Sequence, residues 1–312
     1  MFKTLAKNLP HPLLMRIHHY YDLHRKSTLA RAVSDRSALP LVETLELSQI
    51  KTSDTVFVLG SGSSINEISD RRWEVIGHHD SVALNFWPVH PFVPRIYLFE
   101  NIDRTEGYET MFDCFQNLLR GRARDYRNVT KIITELRSLS PQLVFEIPEG
   151  FRPNMYIGYS TGVVARNNRE LIAGMRYLRR RGIFEPANRV VWHFKYGSSV
   201  IAALSLATRM HYRRIVLCGI DLGNADYFYH DAKRYPEASA WEFMPRVQPQ
   251  VTMLPLKWRL SAQEAIYHFK QEVLDPAGIE LFVENRGSQL FPRIPEAPPQ
   301  LFEQLAAFDP SR

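Results

Sequence analysis

The sequence predicts an α/β protein built on a mostly parallel sheet flanked by helices. Three observations predict it. From residue 54 onward, short apolar runs of strand length alternate with segments of helical periodicity. The first run, Val56 to Leu59, passes directly into the turn Gly60-Ser61-Gly62-Ser63-Ser64 and then into a helical pattern. A later run, "RRIVLC", ends in Gly219-Ile220-Asp221. Strand, glycine turn and helix in that order form the repeating unit of a Rossmann-like sheet. A chain of 312 residues, 45% of them hydrophobic, can bury such a core.

Residues 1 to 50 form a basic amphipathic segment that precedes this pattern. It mixes Phe2, Leu5, Leu9, Leu13, Leu14, Ile17 and Tyr21 with Lys3, Lys7, Arg16, Arg25, Lys26 and Arg31, and Pro10 and Pro12 interrupt it. Two roles fit. Residues 1 to 31 can lie on an anionic membrane surface, or the segment packs on its own domain or on a partner subunit. Residues 51 to 312 then form one domain. Its expected strands are Thr55-Leu59, Ser81-Asn85, Arg95-Phe99, Lys131-Thr134, Gln142-Phe145, Arg214-Cys218 and Ile279-Val283. Ser198 to Met210 reads as a helix of small residues opened by hydroxyls suited to an N-cap. Residues 223 to 262 lose periodicity and carry aromatics, prolines and both charge signs, the composition of a lid. The proline-rich tail from Pro292 wraps the surface before one short helix.

Thirty-nine Lys and Arg against 33 Asp and Glu give a net charge of +6, which favours anionic partners. The basic patch Arg176 to Arg181 interleaves only Tyr177, so a nucleic-acid partner is not expected. Cys114 and Cys218 stand alone in apolar surroundings, which excludes a disulfide framework and a zinc site. No apolar run reaches transmembrane length and no signal-peptide core is present, so the expected location is cytoplasmic.

A Gly-x-Gly turn between strand and helix aims backbone N–H groups at an anion. As a dinucleotide fingerprint it is incomplete. Ile65 occupies the third glycine position, and the second strand ends in Asn85 where an NAD site places an acidic residue for the ribose. Lys195, Ser198 and Ser199 precede a second helix start, and Asp221 falls at the carboxyl edge of the sheet, where open α/β folds bind ligands.

The ordered set "LGSGSSINEI", "ALNFW", "SSVIAALSLA" and "RRIVLCGIDL" resembles the bacterial sialyltransferases of glycosyltransferase family 42. That family's pattern is a G-N-G-P-S-L turn, a strand ending in Asn, an S-G-V helix start and a strand ending in S-G-I-D-F. The likeness covers roughly residues 54 to 105 and 195 to 230. The DUF115-type nucleotide-binding proteins, related to pterin pyrophosphokinases and flagellin-modifying factors, share several of these motifs.

The resemblance implies a single-domain, glycosyltransferase-A-like variant that moves sialic acid or a related nonulosonic acid from a CMP-activated donor to a glycan hydroxyl, with inversion. By position, Gly60, Ser61, Gly62 and Ser64 would hold the nucleotide phosphate and ribose, and Asn85 would contact the cytidine monophosphate. Ser198 would contact the donor, Lys195 would lie near the substrate, and Gly219 and Asp221 would floor the cytidine pocket. Tyr227 or Tyr229 would supply the hydroxyl that bonds the departing phosphate. Ser61 replaces the family's Asn. The family's lid histidine has no counterpart in "VTMLPLKWRLSAQEA", so His230, beside Asp231, is the expected general base, with His193 next and His268 structural.

The resemblance implies no metal and no cofactor beyond the CMP-sugar substrate, and an oligosaccharide or glycolipid acceptor at the inner face of a bacterial membrane. A homo-oligomer is compatible with it. The alternatives are a Mg²⁺-dependent pyrophosphokinase using Asp221, Asp226 and Asp231, or a non-catalytic basic binding protein.

Overall fold

The computed structural model describes residues 9–105, 107–189, 193–223, 226–241 and 260–307. The chain opens with helix α1 (His11–Ser37), whose first turn explains the two prolines. Pro10 is its N-cap and Pro12 lies in the first turn, where a missing N–H costs nothing, so the prolines start the helix and do not break it. Leu14, Met15, Ala30 and Val33 of α1 are buried, and the helix packs on the rest of the domain. Of the two roles expected for residues 1 to 50, packing on the same domain is therefore present from His11 onward. Residues 1–8, with Phe2, Lys3, Leu5 and Lys7, lie outside the described residues.

Seven strands form the central sheet: β1 (Thr55–Leu59), β2 (Asp80–Leu84), β3 (Ile96–Phe99), β4 (Thr130–Ile133), β5 (Met155–Ile157), β8 (Arg214–Cys218) and β9 (Glu280–Val283). Their order is β5-β4-β3-β2-β1-β8-β9, and every ladder is parallel. β6 (Ser160–Thr161) and β7 (His193–Phe194) form a separate two-stranded ladder that packs under α1. All residues of β1, β2, β3 and β4 are buried, as continuous apolar strands covered on both faces require.

The helices that follow are α2 (Asp70–His78), α3 (Glu109–Gly121), α4 (Gln142–Glu146), α5 (Asn168–Arg179), α6 (Ser199–Arg209), α7 (Pro236–Ser239), α8 (Ala262–Phe269) and α9 (Pro299–Ala306). α6 lies against β1, β2 and β3 with Val200 to Thr208 buried, which its small residues permit. No helix among the described residues is long and apolar enough to cross a membrane.

One expected strand is a helix. Gln142 to Phe145 folds as α4 behind Pro141, with Leu143 and Val144 buried. A four-residue apolar run has no periodicity that separates strand from helix. The fifth strand is instead β5, whose three residues, Met155 to Ile157, are too few to alternate.

Candidate functional site

Strand order reverses at β1: β2 to β5 lie to one side of it, and β8 and β9 to the other. The loops leaving β1 and β8 therefore sit side by side at the carboxyl edge, the switch point where open α/β sheets bind ligands. A two-lobed cavity lies there. The first lobe, about 230 Å³, is lined by Gly60 to Gly62, Leu84, Asn85, Glu100, Gly197 to Val200, Gly219 to Leu222 and Tyr227. The second, about 250 Å³, is lined by Phe86, Phe99, Ile102, Met111, Phe115 and Tyr229. Ser61, Asn85, Glu100 and Tyr227 border both lobes.

The two glycine loops interlock. The Gly60 N–H donates to the Cys218 carbonyl and the Gly62 N–H to the Gly219 carbonyl, each at 2.8 Å. Gly219 has φ +65°, and a Cβ there would lie 2.5 Å from Ile65. The Asp221 carboxylate accepts the Ser64 N–H at 3.1 Å and the Ser64 hydroxyl. These contacts correct part of the expected phosphate cradle. The Gly60 and Gly62 amides and the Ser64 side chain are committed to the β8 loop, and Ser64 is buried away from the cavity lining. Asp221 borders the first lobe but serves to tie this turn down. Gly60, Gly62 and Gly219 contribute close backbone approach.

Backbone conformation points to the same place. Asn85 (φ +54°), Gly197 (+75°), Gly219 (+65°) and Leu222 (+59°) all lie in the left-handed region and all line the first lobe. Leucine adopts that conformation only at a cost of about 1–3 kcal/mol, and such residues cluster at binding sites. The Asn85 carbonyl accepts the Tyr97 hydroxyl, which leaves its side-chain amide at the cavity.

Ser198 is the N-cap of α6, but its side chain makes no capping bond. Its Oγ is buried in the wall of the first lobe and has no hydrogen-bond partner among the described residues. Ser199 Oγ donates instead to Glu100 Oε1 at 3.0 Å. Lys195 does not line either lobe. Its Nζ donates at 2.7 Å to both Glu100 Oε1 and Glu135 Oε2, so the residue expected near the substrate has its charge balanced by two carboxylates, one of which, Glu100, borders the cavity. Burial alone would lower its pKa, but the two carboxylates outweigh burial and hold it above the usual lysine value. Burial would likewise raise Glu135, yet Lys195, with Lys26 and Arg137 behind it, holds that carboxyl below its usual value.

Tyr227 and Tyr229 stack with ring centroids 5.1 Å apart, and burial raises both phenol pKa values, so both remain protonated donors. The Phe228 N–H donates to the Ser61 carbonyl and Asn66 Nδ2 to the Phe228 carbonyl, which sews this stretch to the β1 loop. His230 is not among the cavity residues. Its Nδ1 accepts the Tyr227 N–H at 3.2 Å and lies 3.4 Å from Asp226 Oδ1. Asp231, the partner expected from sequence, instead accepts the Lys233 N–H. His193 is fully buried at β7, where burial lowers its pKa to about 4 and keeps it from acting as a solvent-side base. His268 is buried in α8. Asp221, Asp226 and Asp231 do not converge, and among the described residues no three His, Cys, Asp or Glu side chains gather as a metal site would need.

Comparison with protein-family models gives no match, and comparison with curated proteins gives none either. The likeness to glycosyltransferase family 42 rests on four short motifs and their order. What sequence missed is Glu100 and the aromatic second lobe. Glu100 directly follows the third strand in "YLFENID", so the carboxyl-edge rule applied to every strand would have found it.

Proposed function

We propose that the protein is a glycosyltransferase that moves sialic acid or a related nonulosonic acid from a CMP-activated donor to a glycan hydroxyl. The observation that carries this reading is Ser198 Oγ, buried in the wall of a switch-point cavity and without a hydrogen-bond partner among the described residues. A polar atom left so costs stability unless a ligand satisfies it. It stands at the amino end of α6, where first-turn N–H groups and the helix dipole favour an anion such as a nucleotide phosphate.

In this reading the nucleotide occupies the first lobe, and the acceptor sugar lies against the aromatic second lobe. The reaction centre falls between them, at Asn85, Glu100 and Tyr227. The acceptor oxygen attacks the anomeric carbon, the bond from that carbon to the phosphate oxygen breaks, and CMP leaves with the electron pair. Ser198 and Tyr227 or Tyr229 donate hydrogen bonds to the departing phosphate. The acceptor proton goes to Glu100, the carboxylate that borders both lobes, and not to His230. Lys195 and Ser199 fix Oε1 of Glu100 and act as positioning residues, while Oε2, 3.6 Å from the exposed Arg137 guanidinium, takes the hydroxyl proton. A lipid-linked or surface glycan in bacterial lipopolysaccharide or capsule is the acceptor class that the resemblance suggests.

Calorimetry with CMP, CDP, UDP, GDP and ATP tests the proposal. Selective binding of CMP, weakened by Ser198→Ala, is the expected result. A purine preference, or equal binding of all five, overturns it.

A further inference from the structure

The surface of α1 carries a combination of side chains that the interior does not use. Leu13, Ile17, Tyr20 and Tyr21 are 45%, 37%, 78% and 56% exposed along one helix whose other face is core. Beside them runs a groove of about 650 Å³, lined by Arg16 and Tyr20 from α1 and by Tyr177, Arg180 and Arg181 from the end of α5. Arg181 lies over the Tyr177 ring at 5.4 Å and its Nε donates to the Tyr177 hydroxyl at 3.2 Å, which holds the guanidinium in place. Arg16 and Arg180 meet no carboxylate among the described residues. Arg176, one turn earlier, makes a two-pronged pair with Glu272 at 2.7 and 2.8 Å and is neutralised. The cations that face the groove are therefore the uncompensated ones.

We propose that this α1–α5 face docks on an anionic phospholipid bilayer, with headgroup phosphates seated at Arg16, Arg180 and Arg181. Guanidinium groups match phosphate geometry, and tyrosines favour the headgroup level. Leu13 and Ile17 can enter the boundary with the acyl chains, about 5–10 Å deep. The competing occupants fit less well. A second copy in a two-fold interface would set arginines against arginines. A nucleic acid would use the arginines and Tyr20 but leave the exposed aliphatic side chains in water.

The face is also linked to the cavity edge through the chain Lys26, Glu135, Lys195 and Glu100. Lys26, ten residues after Arg16 and so about 15 Å along the helix, lies 3.8 Å from Glu135 Oε1 in the Lys195–Glu100 network. The docking surface does not depend on the glycosyltransferase reading, and vesicle binding stands or falls separately from CMP binding.

Deleting α1 is not a usable test, because its buried face belongs to the core. The full chain is instead sedimented with phosphatidylcholine vesicles that contain or lack phosphatidylglycerol. Partitioning onto the anionic vesicles alone, declining as salt rises, is expected. The triple variant Arg16→Gln, Arg180→Gln, Arg181→Gln should partition roughly 100-fold more weakly, and Ile17→Ser with Tyr20→Ser should weaken the part that salt does not remove. Unchanged melting temperatures confirm that the variants fold. The proposal is overturned by equal or no binding to the two vesicle types, or by an unaffected triple variant. Dimerisation abolished by Ile17→Ser with Tyr20→Ser, or oligonucleotide binding lost in the triple variant without vesicle binding, also overturns it.

Discussion

A Cβ added to Gly62 would lie 2.3 Å from Asp221 Oδ2 and 2.8 Å from the Gly219 carbonyl oxygen. Relieving that overlap means moving the carboxylate off Ser64 or separating the β1 and β8 loops. Gly62→Ala is therefore expected to cost about 2 kcal/mol and to abolish ligand binding at the cavity, as read by thermal unfolding and by calorimetry with CMP. Gly121→Ala is the contrasting control, because a Cβ there meets nothing within 4 Å at the end of α3. It should raise stability by about 0.4–1 kcal/mol through the unfolded state. Glu100 and His230 divide in a second experiment. With a CMP-activated donor, Glu100→Gln should lower kcat by about 10²–10⁴-fold with CMP affinity kept, whereas His230→Gln should leave kcat within a few-fold of the parent. The reverse ranking would return the proton to the histidine.

At the scale of elements, one carboxylate holds the amino edge of the sheet. Asp80, fully buried at the start of β2, accepts from the Thr52 and Ser53 amides, the Thr52 and Tyr212 hydroxyls and Arg95 Nε. It thereby ties the entries to β1, β2, β3 and β8. Asp80→Ala leaves those donors without an acceptor and should destabilise the protein by about 3–5 kcal/mol, measured by denaturant unfolding. The elements themselves were largely legible in sequence. Thr55–Leu59 and Arg214–Cys218 have the bounds their apolar runs predict, because buried parallel strands have no competing pattern. Gln142 to Phe145 was illegible because Pro141 and four apolar residues suit a short helix equally well. The site was legible where a loop directly follows a strand, as at Ser61, Asn85 and Asp221. It was illegible where a partner distant in sequence decides a side chain's role. Nothing near Lys195 announces Glu100 and Glu135, which lie 95 and 60 residues away and consume its charge. Nor does "YFYHD" reveal that His230 Nδ1 turns back to its own backbone.

The whole molecule should respond to pH through groups whose burial disfavours their charged form. Burial lowers the pKa of His90 and of His193 to about 4, with Arg122 and Arg234 adding to the effect at His90 and Arg209 at His193. In the unfolded chain both imidazoles take up a proton near pH 6.5. The native state binds fewer protons between these values, so their contribution is complete above about pH 6.5 and is lost as pH falls toward 4. The loss is of the order of 3 kcal/mol for each imidazole. Lys131 extends the same trend upward. It is fully buried, its Nζ donates to the Tyr126 and Val129 carbonyls, and burial lowers its pKa to about 7. Since the unfolded lysine stays protonated to about pH 10.4, stability should rise further from pH 7 toward 10. Melting temperature measured from pH 4.5 to 9 should therefore climb in two stages, near 4–6.5 and above 7. His193→Gln should shrink the lower stage to the share of His90 and leave the upper one, and Lys131→Met should remove the upper stage while orphaning two carbonyls. A melting temperature that peaks near pH 5 would mean that carboxylate pairing, and not these buried bases, governs the stability of the fold.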